Sequence, residues 1–182
     1  MTASPSITRP WSKKIERYVD LFKATHGGIT FSGGESMMQP AFVSRVFRAA
    51  KEMGVHTCLD TSGFLGASYT DDMLNDIDLC LLDVKSGDEE TYKKVTGGIL
   101  QPTIDFGQRL AKAGKKIWVR FVLVPGSPHP RKTLRMWRRS ASRSATQWNI
   151  SMCLDSTSLA VQNGICSTFP TRWKIRRGRP RQ

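Results

Sequence analysis

Residues 28–40, GITFSGGESMMQP, pass from an apolar β-branched run into paired glycines, a carboxylate and a helix-forming stretch. The order is that of a strand ending at a bend. Ile29, Thr30 and Phe31 suit an extended, buried chain, and Gly33 and Gly34 let the backbone turn and approach a ligand closely. The pattern recurs. Apolar runs at 28–31, 55–59, 79–84 and 117–124 alternate with helical patterns at 40–53, 70–77, 89–95 and 103–113. In the first of these helices Phe42, Val46, Phe47 and Ala50 share one face. Strands separated by helices make repeated βα units and a parallel sheet, so the fold class is α/β, an open sheet or partial barrel.

Polar groups gather where the strands end. Ser32-Gly33-Gly34-Glu35 follows the first strand, Asp60-Thr61-Ser62-Gly63 the second and Asp83-Val84-Lys85 the third, while the fourth carries Arg120 before Pro125-Gly126. In parallel α/β folds the carboxyl ends of the strands line the ligand site, so these groups should converge on one rim. Each cluster has a plainer reading: a Gly-Gly turn, an Asp-Thr-Ser-Gly helix cap, an Asp83–Lys85 pair two apart on one strand face. Four clusters at four successive strand ends favour a site.

The 182 residues suit a single domain with a substantial core. Four cysteines, Cys58, Cys80, Cys153 and Cys166, stand apart without a CxxC or a Cys/His cluster, which fits reduced thiols and a cytoplasmic location. No signal peptide or membrane-spanning run is expected. Cys58 and Cys80, inside apolar strands, read as inert core thiols.

The net charge of +13 is unevenly spread: residues 1–126 carry +2 and residues 127–182 carry +11. Residues 127–182 show neither strand nor helix periodicity for any useful length, and Trp137, Trp148 and Trp173 sit among Arg, Ser and Pro. Such a segment is expected to be disordered or to pack poorly. The expected organisation is an irregular N-terminus over 1–12, a βα domain over 13–126 and an irregular basic tail over 127–182.

The strings GGITFSGGE, HTCLDTSG, LCLLDVKSGDEETYKKVTG and WVRFVLVPG, in that order, resemble the activating enzymes of glycyl-radical enzymes, within the radical S-adenosylmethionine superfamily. The resemblance covers about three fifths of the chain and implies an incomplete radical-SAM partial (βα) barrel. It implies two cofactors, S-adenosylmethionine and a cubane iron–sulfur cluster held by a CxxxCxxC loop. Reduction of that cluster yields a deoxyadenosyl radical, which takes a hydrogen from a glycine of the partner. The implied partner is a glycyl-radical enzyme such as pyruvate formate-lyase. The resemblance assigns Ser32, Gly33, Gly34 and Glu35 to the methionine end of the ligand. Around its carboxylate, ribose and an associated cation it places Asp60, Thr61, Asp83, Lys85 and Arg120. Those types suit the ligand: Glu35 or backbone carbonyls accept from an ammonium, Lys85 and Arg120 answer a carboxylate, and Asp60 and Asp83 suit a hard cation.

The chain departs from the family pattern in three places. The CxxxCxxC loop is absent, so the chain is expected neither to assemble the cluster nor to be active. Ser36 stands where the family has proline, and serine is expected to cap the following helix. After Gly126 the family's Phe-His-x-Leu-Gly is missing, yet the third-base frame of DSTSLAVQNG (155–164) can encode Phe-His-Gln-Leu-Gly. The expectation is a chain truncated at its N-terminus and frameshifted near Gly126. Two alternatives remain: a non-catalytic remnant that still binds the glycyl-radical enzyme, or nucleic-acid binding through RRSASRS and the AT-hook-like RRGRPRQ (176–182). Out-of-frame GC-rich DNA also encodes Arg, Pro and Ser, so nucleic acid is the less favoured partner. No membrane partner is expected.

Overall fold

The computed structural model describes residues 5–123 and 148–154. The chain begins with helices α1 (Pro5–Glu16) and α2 (Val19–Thr25) and then alternates. Strand β1 (Gly28–Phe31) leads to α3 (Pro40–Glu52), β2 (His56–Thr61) to the short α4 (Asp71–Asn75), and β3 (Leu79–Asp83) to α5 (Glu89–Thr96) and α6 (Gln101–Lys112). Strands β4 (Lys116–Leu123) and β5 (Trp148–Leu154) complete the sheet. Among the described residues its order is β1-β2-β3-β4-β5, every pairing is parallel, and β1 does not pair with β5, so the sheet is not closed. The α/β class and the four strands expected in 28–124 are present, with ends moved by one or two residues.

Local chemistry explains the helix limits. Pro40 opens α3, where its missing N–H costs nothing, and Val43, Val46, Phe47 and Ala50 form its buried stripe. The Thr70 hydroxyl accepts from Met73 N–H to cap α4, and the Asp88 carboxylate accepts from Thr91 N–H to cap α5. Gly97, at φ 73°, closes α5 in the left-handed conformation.

Strand alternation divides the sheet into two unlike faces. Leu59, Cys80, Leu82, Ile117 and Val119 point to one side, where they join Val43 and Phe47 of α3, Leu74 of α4, Tyr92 of α5, and Phe106 and Leu110 of α6 in the main core. In the register, Asp60 lies opposite Leu81, Leu81 opposite Trp118, and Asp83 opposite Arg120, which places all five on the other face. On that face Trp118 is 40% exposed. Asp60, Asp83 and Arg120 therefore stand on the face opposite the main core, while Thr61, in register with Leu82, turns toward it.

Two expectations are corrected. Residues 5–12, expected to be irregular, belong to α1, because tertiary packing rewards the helix. Ile15 is buried with Val46, Ala50 and Val55, and the Trp11 ring lies 6.3 Å from both Phe31 and Phe42. Within the stretch expected to lack periodicity, residues 148–154 form β5. Trp148, Ile150, Met152 and Leu154 alternate with Asn149, Ser151 and Cys153, and the register sets Trp148 against Ile117 and Ile150 against Val119. This strand is short, and the irregular composition around it hides the period. The rest of the basic segment, including Cys166 and RRGRPRQ, lies outside the described residues.

Candidate functional site

All nine residues expected to form a site stand on the loops and strand ends at the carboxyl edge of the sheet. Seven of them form two connected sets. The first is ionic. Arg120 on β4 donates through Nε to Asp83 Oδ1 at 2.6 Å and through Nη2 to Asp60 Oδ1. Lys85 Nζ lies 3.3 Å from Asp83 Oδ2, and the Ser32 hydroxyl donates to Asp60 Oδ2 at 2.9 Å. Burial works against the charge of Arg120, but the hydrogen bond and charge of Asp83, with those of Asp60, hold the guanidinium protonated more firmly than usual. Two carboxylates and two cations thus occupy one patch, and both anions lie mostly out of solvent.

The second set centres on Glu35. Oε1 accepts from Met37 N–H at 3.0 Å and from the Thr61 hydroxyl at 2.6 Å. Oε2 accepts from Ser62 N–H at 3.0 Å and from the Ser62 hydroxyl at 2.6 Å. A carboxylate offers about four acceptor positions, and four donors meet this one. Burial alone would raise the Glu35 carboxyl, but hydrogen bonds from Ser62, Thr61 and the Met37 and Ser62 amides outweigh it, and the group stays ionised below the usual carboxylate range.

The glycine loop between the two sets is open. Gly33 has φ 89° and Gly34 φ 51°, conformations that favour glycine, and a Cβ added at either would meet no atom within 4 Å. Room for a ligand therefore exists directly beside their backbone. Ser36, expected to cap a helix, does not: its hydroxyl donates to the Asp60 carbonyl at 2.8 Å, because the chain first makes a short 3₁₀ turn over Ser36–Met38 and α3 starts only at Pro40. This bond ties the β1 loop to the end of β2.

Sequence reasoning passed over Ser62, Thr103 and Tyr92. Ser62 lies within Asp60-Thr61-Ser62-Gly63, where a serine in a turn carries no local sign of its partner. Thr103, fully buried on α6, donates to the Ser62 carbonyl at 2.9 Å, and its hydroxyl lies 3.2 Å from that of Tyr92 on α5. Since the single Thr103 proton goes to Ser62, the Tyr92 hydroxyl is the donor in that pair. No local signal marks such a bond, which spans 41 residues.

The cysteines fit the reading as core thiols. Cys58 and Cys80 are buried and free, burial pushes the Cys58 thiol up to about 11, and Cys80 is raised as well. The register sets Cys58 and Cys80 on opposite faces of the sheet, so they do not converge as cluster ligands, and no group of three potential metal ligands occurs among the described residues. The residues around the open loop, by contrast, fit a zwitterionic ligand: backbone carbonyls of Gly33 and Gly34 can accept from an ammonium, and Lys85 and Arg120 can donate to a carboxylate. Among the described residues no helix is long and apolar enough to cross a membrane.

Comparison with known proteins agrees with this architecture. The chain is 37% identical over 123 residues to the pyruvate formate-lyase-activating enzyme of Clostridium pasteurianum, which covers 68% of this chain and 51% of that protein. It is 40% identical over 116 residues to the pyruvate formate-lyase 1-activating enzyme of Escherichia coli K12, covering 63% and 47%. The chain thus spans about half the length of the curated relatives it matches. Its fold is similar to a domain of a pyruvate-formate lyase-activating enzyme from Bacteroides vulgatus, with a TM-score of 0.60, 22% identity, and coverage of 69% of this chain and 79% of that one. It is also similar to Streptococcus suis SuiB bound to S-adenosylmethionine, with a TM-score of 0.60, 13% identity, and coverage of 84% and 34%. The family described as the Radical SAM superfamily matches residues 5–135, and the chain belongs to that superfamily.

Proposed function

We propose that this chain carries the S-adenosylmethionine-binding face of a glycyl-radical enzyme activase, whose partner is pyruvate formate-lyase or an enzyme of the same class. The observation that carries the proposal is the meeting of Asp60, Asp83, Lys85 and Arg120 beside the open Gly33–Gly34 backbone, at the carboxyl end of parallel strands. The Gly33 and Gly34 backbone accepts from the ligand's ammonium. Lys85 and Arg120 answer its carboxylate with charge-assisted hydrogen bonds. Asp60 and Asp83 provide oxygen ligands for an accompanying cation, and Ser32 holds Asp60 in place. In the superfamily S-adenosylmethionine supplies the carbon radical that abstracts hydrogen.

The described residues offer no thiolate set for an iron–sulfur cluster, and Cys58, Cys80, Cys153 and Cys166 do not have CxxxCxxC spacing. These residues bind the sulfonium ligand, and its cleavage needs thiolates that these four cysteines do not supply. Calorimetric titration with S-adenosylmethionine should show one saturable site that is lost in Arg120→Ala. The absence of binding by the wild-type chain would overturn the site. After anaerobic treatment with iron, sulfide and reductant, no 5′-deoxyadenosine should form; its appearance with a cluster absorbance would overturn the inactive reading. Retention of pyruvate formate-lyase on the immobilised chain tests the partner.

A further inference from the structure

The Glu35 carboxylate looks at first like the group that should meet the ligand's ammonium, since it follows the glycine pair directly. Its acceptor positions are already taken. Met37 N–H and the Thr61 hydroxyl occupy Oε1, and the amide and hydroxyl of Ser62 occupy Oε2. To reach an ammonium, Glu35 would have to give up a charge-assisted hydrogen bond and leave a part-buried donor unpaired.

We infer that Ser62 is a positioning residue: with Thr61 it locks the Glu35 carboxylate, which in turn holds the exit of the Gly33–Gly34 loop in place beside the ligand. The inference rests on the proposed binding of S-adenosylmethionine. Its geometric basis extends behind Ser62. The Thr61 hydroxyl donates to Glu35 while accepting from Gly63 N–H at 2.9 Å, so the turn after β2 is shaped around this bond. The Ser62 carbonyl is held from the other side by Thr103, which the Tyr92 hydroxyl braces in turn. Gly63 lies at φ 74°, and a Cβ there would stand 2.7 Å from Leu82 Cδ1, so the turn has no room to slide. A rigid chain of contacts thus runs from α5 and α6 through Ser62 to Glu35. Glu35 in turn fixes the exit of the glycine loop through Met37 N–H.

The two roles for Glu35 predict opposite effects of removing the Ser62 hydroxyl. If Glu35 is a clamp, Ser62→Ala loosens the glycine loop and weakens S-adenosylmethionine about ten-fold, the scale of one hydrogen bond to a charged group. Ser62→Thr keeps the hydroxyl and should bind within about two-fold of wild type on the same reckoning. If Glu35 meets the ammonium directly, Ser62→Ala frees Oε2, and affinity stays unchanged or rises, which overturns the inference. Amide hydrogen exchange of the ligand-free protein supplies a readout independent of the ligand. Met37 and Ser62 amides should be protected in the wild type and exchange faster in Glu35→Gln, while amides of α3 keep their rates. Equal exchange at Met37 and Ser62 in the two proteins overturns the clamp. Should the wild type bind no S-adenosylmethionine, the functional reading fails, and the exchange data still decide whether Ser62 and Glu35 form the lock.

Discussion

Arg120 Nε lies 2.6 Å from Asp83 Oδ1, and the two residues are register partners on adjacent parallel strands. The same guanidinium reaches Asp60, one strand further on. A planar fork spreads its donors over separate nitrogens in fixed directions and so spans two carboxylates that a compact ammonium has to meet from one point. Arg120→Lys should therefore resemble Arg120→Ala more than wild type. Both should lower thermal stability by about 1–3 kcal/mol, because two half-buried carboxylates lose their common partner. Both should also reduce ligand affinity at least about ten-fold, one charge-assisted contact having been lost. Thermal unfolding and calorimetric titration of the two variants check this.

Acid should weaken the fold through Glu35. Its carboxyl is held below its ordinary value of 4.5, since the hydrogen bonds of Ser62, Thr61 and Met37 overcome burial. A depressed folded-state value means that the stabilisation is fully present above pH 4.5 and is lost as pH falls through the folded value. Asp78 behaves alike: burial opposes its ionisation, but Lys51 and Thr57 hold it below its ordinary 3.8. Urea midpoints measured from pH 6 downwards should fall on the acid side, and Glu35→Gln should flatten that slope without abolishing the part due to Asp78.

Two glycines of the site should separate stability from binding. At Gly63 an added methyl meets Leu82 and Phe106 at 2.7 and 3.3 Å in a left-handed backbone, so Gly63→Ala should cost about 2–4 kcal/mol of stability. At Gly33 the methyl meets nothing, and only the positive φ is penalised, at about 1 kcal/mol. Gly33→Ala should nevertheless impair binding severely, since its methyl projects into the space beside the loop. Chemical denaturation and ligand titration of both variants make the comparison.

Cys58 and Cys80 should resist thiol reagents in the folded protein. Burial pushes Cys58 up to about 11 and raises Cys80, so neither offers an appreciable thiolate at neutral pH. Peptide mapping after alkylation at pH 7.5 should find both unmodified in buffer and both modified in urea. Modification of either under native conditions would show that its strand opens readily.

Much of the fold was legible in the sequence. The alternation of apolar runs with helical stripes is a local signal repeated four times, and β1 to β4 with α3 to α6 followed it to within one or two residues. The convergence of Ser32, Glu35, Asp60, Asp83 and Arg120 was legible for a topological reason. Parallel strands joined by helices all end on the same edge. The misses were of another kind. Helix α1 carries two prolines, and its helical state depends on Ile15 and Trp11 finding α3 and β1. Strand β5 is seven residues of weak alternation within an irregular, basic segment, and it pairs with β4 across a long connection.

The sequence by itself determined the βα order, the parallel sheet, the edge on which charge collects and the burial of Cys58 and Cys80. Periodicity and residue type act over a few positions, and they needed no partner to be read. Only the tertiary structure decided how those groups use their hydrogen bonds. It saturated Glu35 with donors from residues 37, 61 and 62, set Arg120 between Asp60 and Asp83, and braced Ser62 from Thr103 and Tyr92. A carboxylate meets as many donors as the surrounding chain brings to it, and that number is a property of the assembled sheet edge and not of any segment alone.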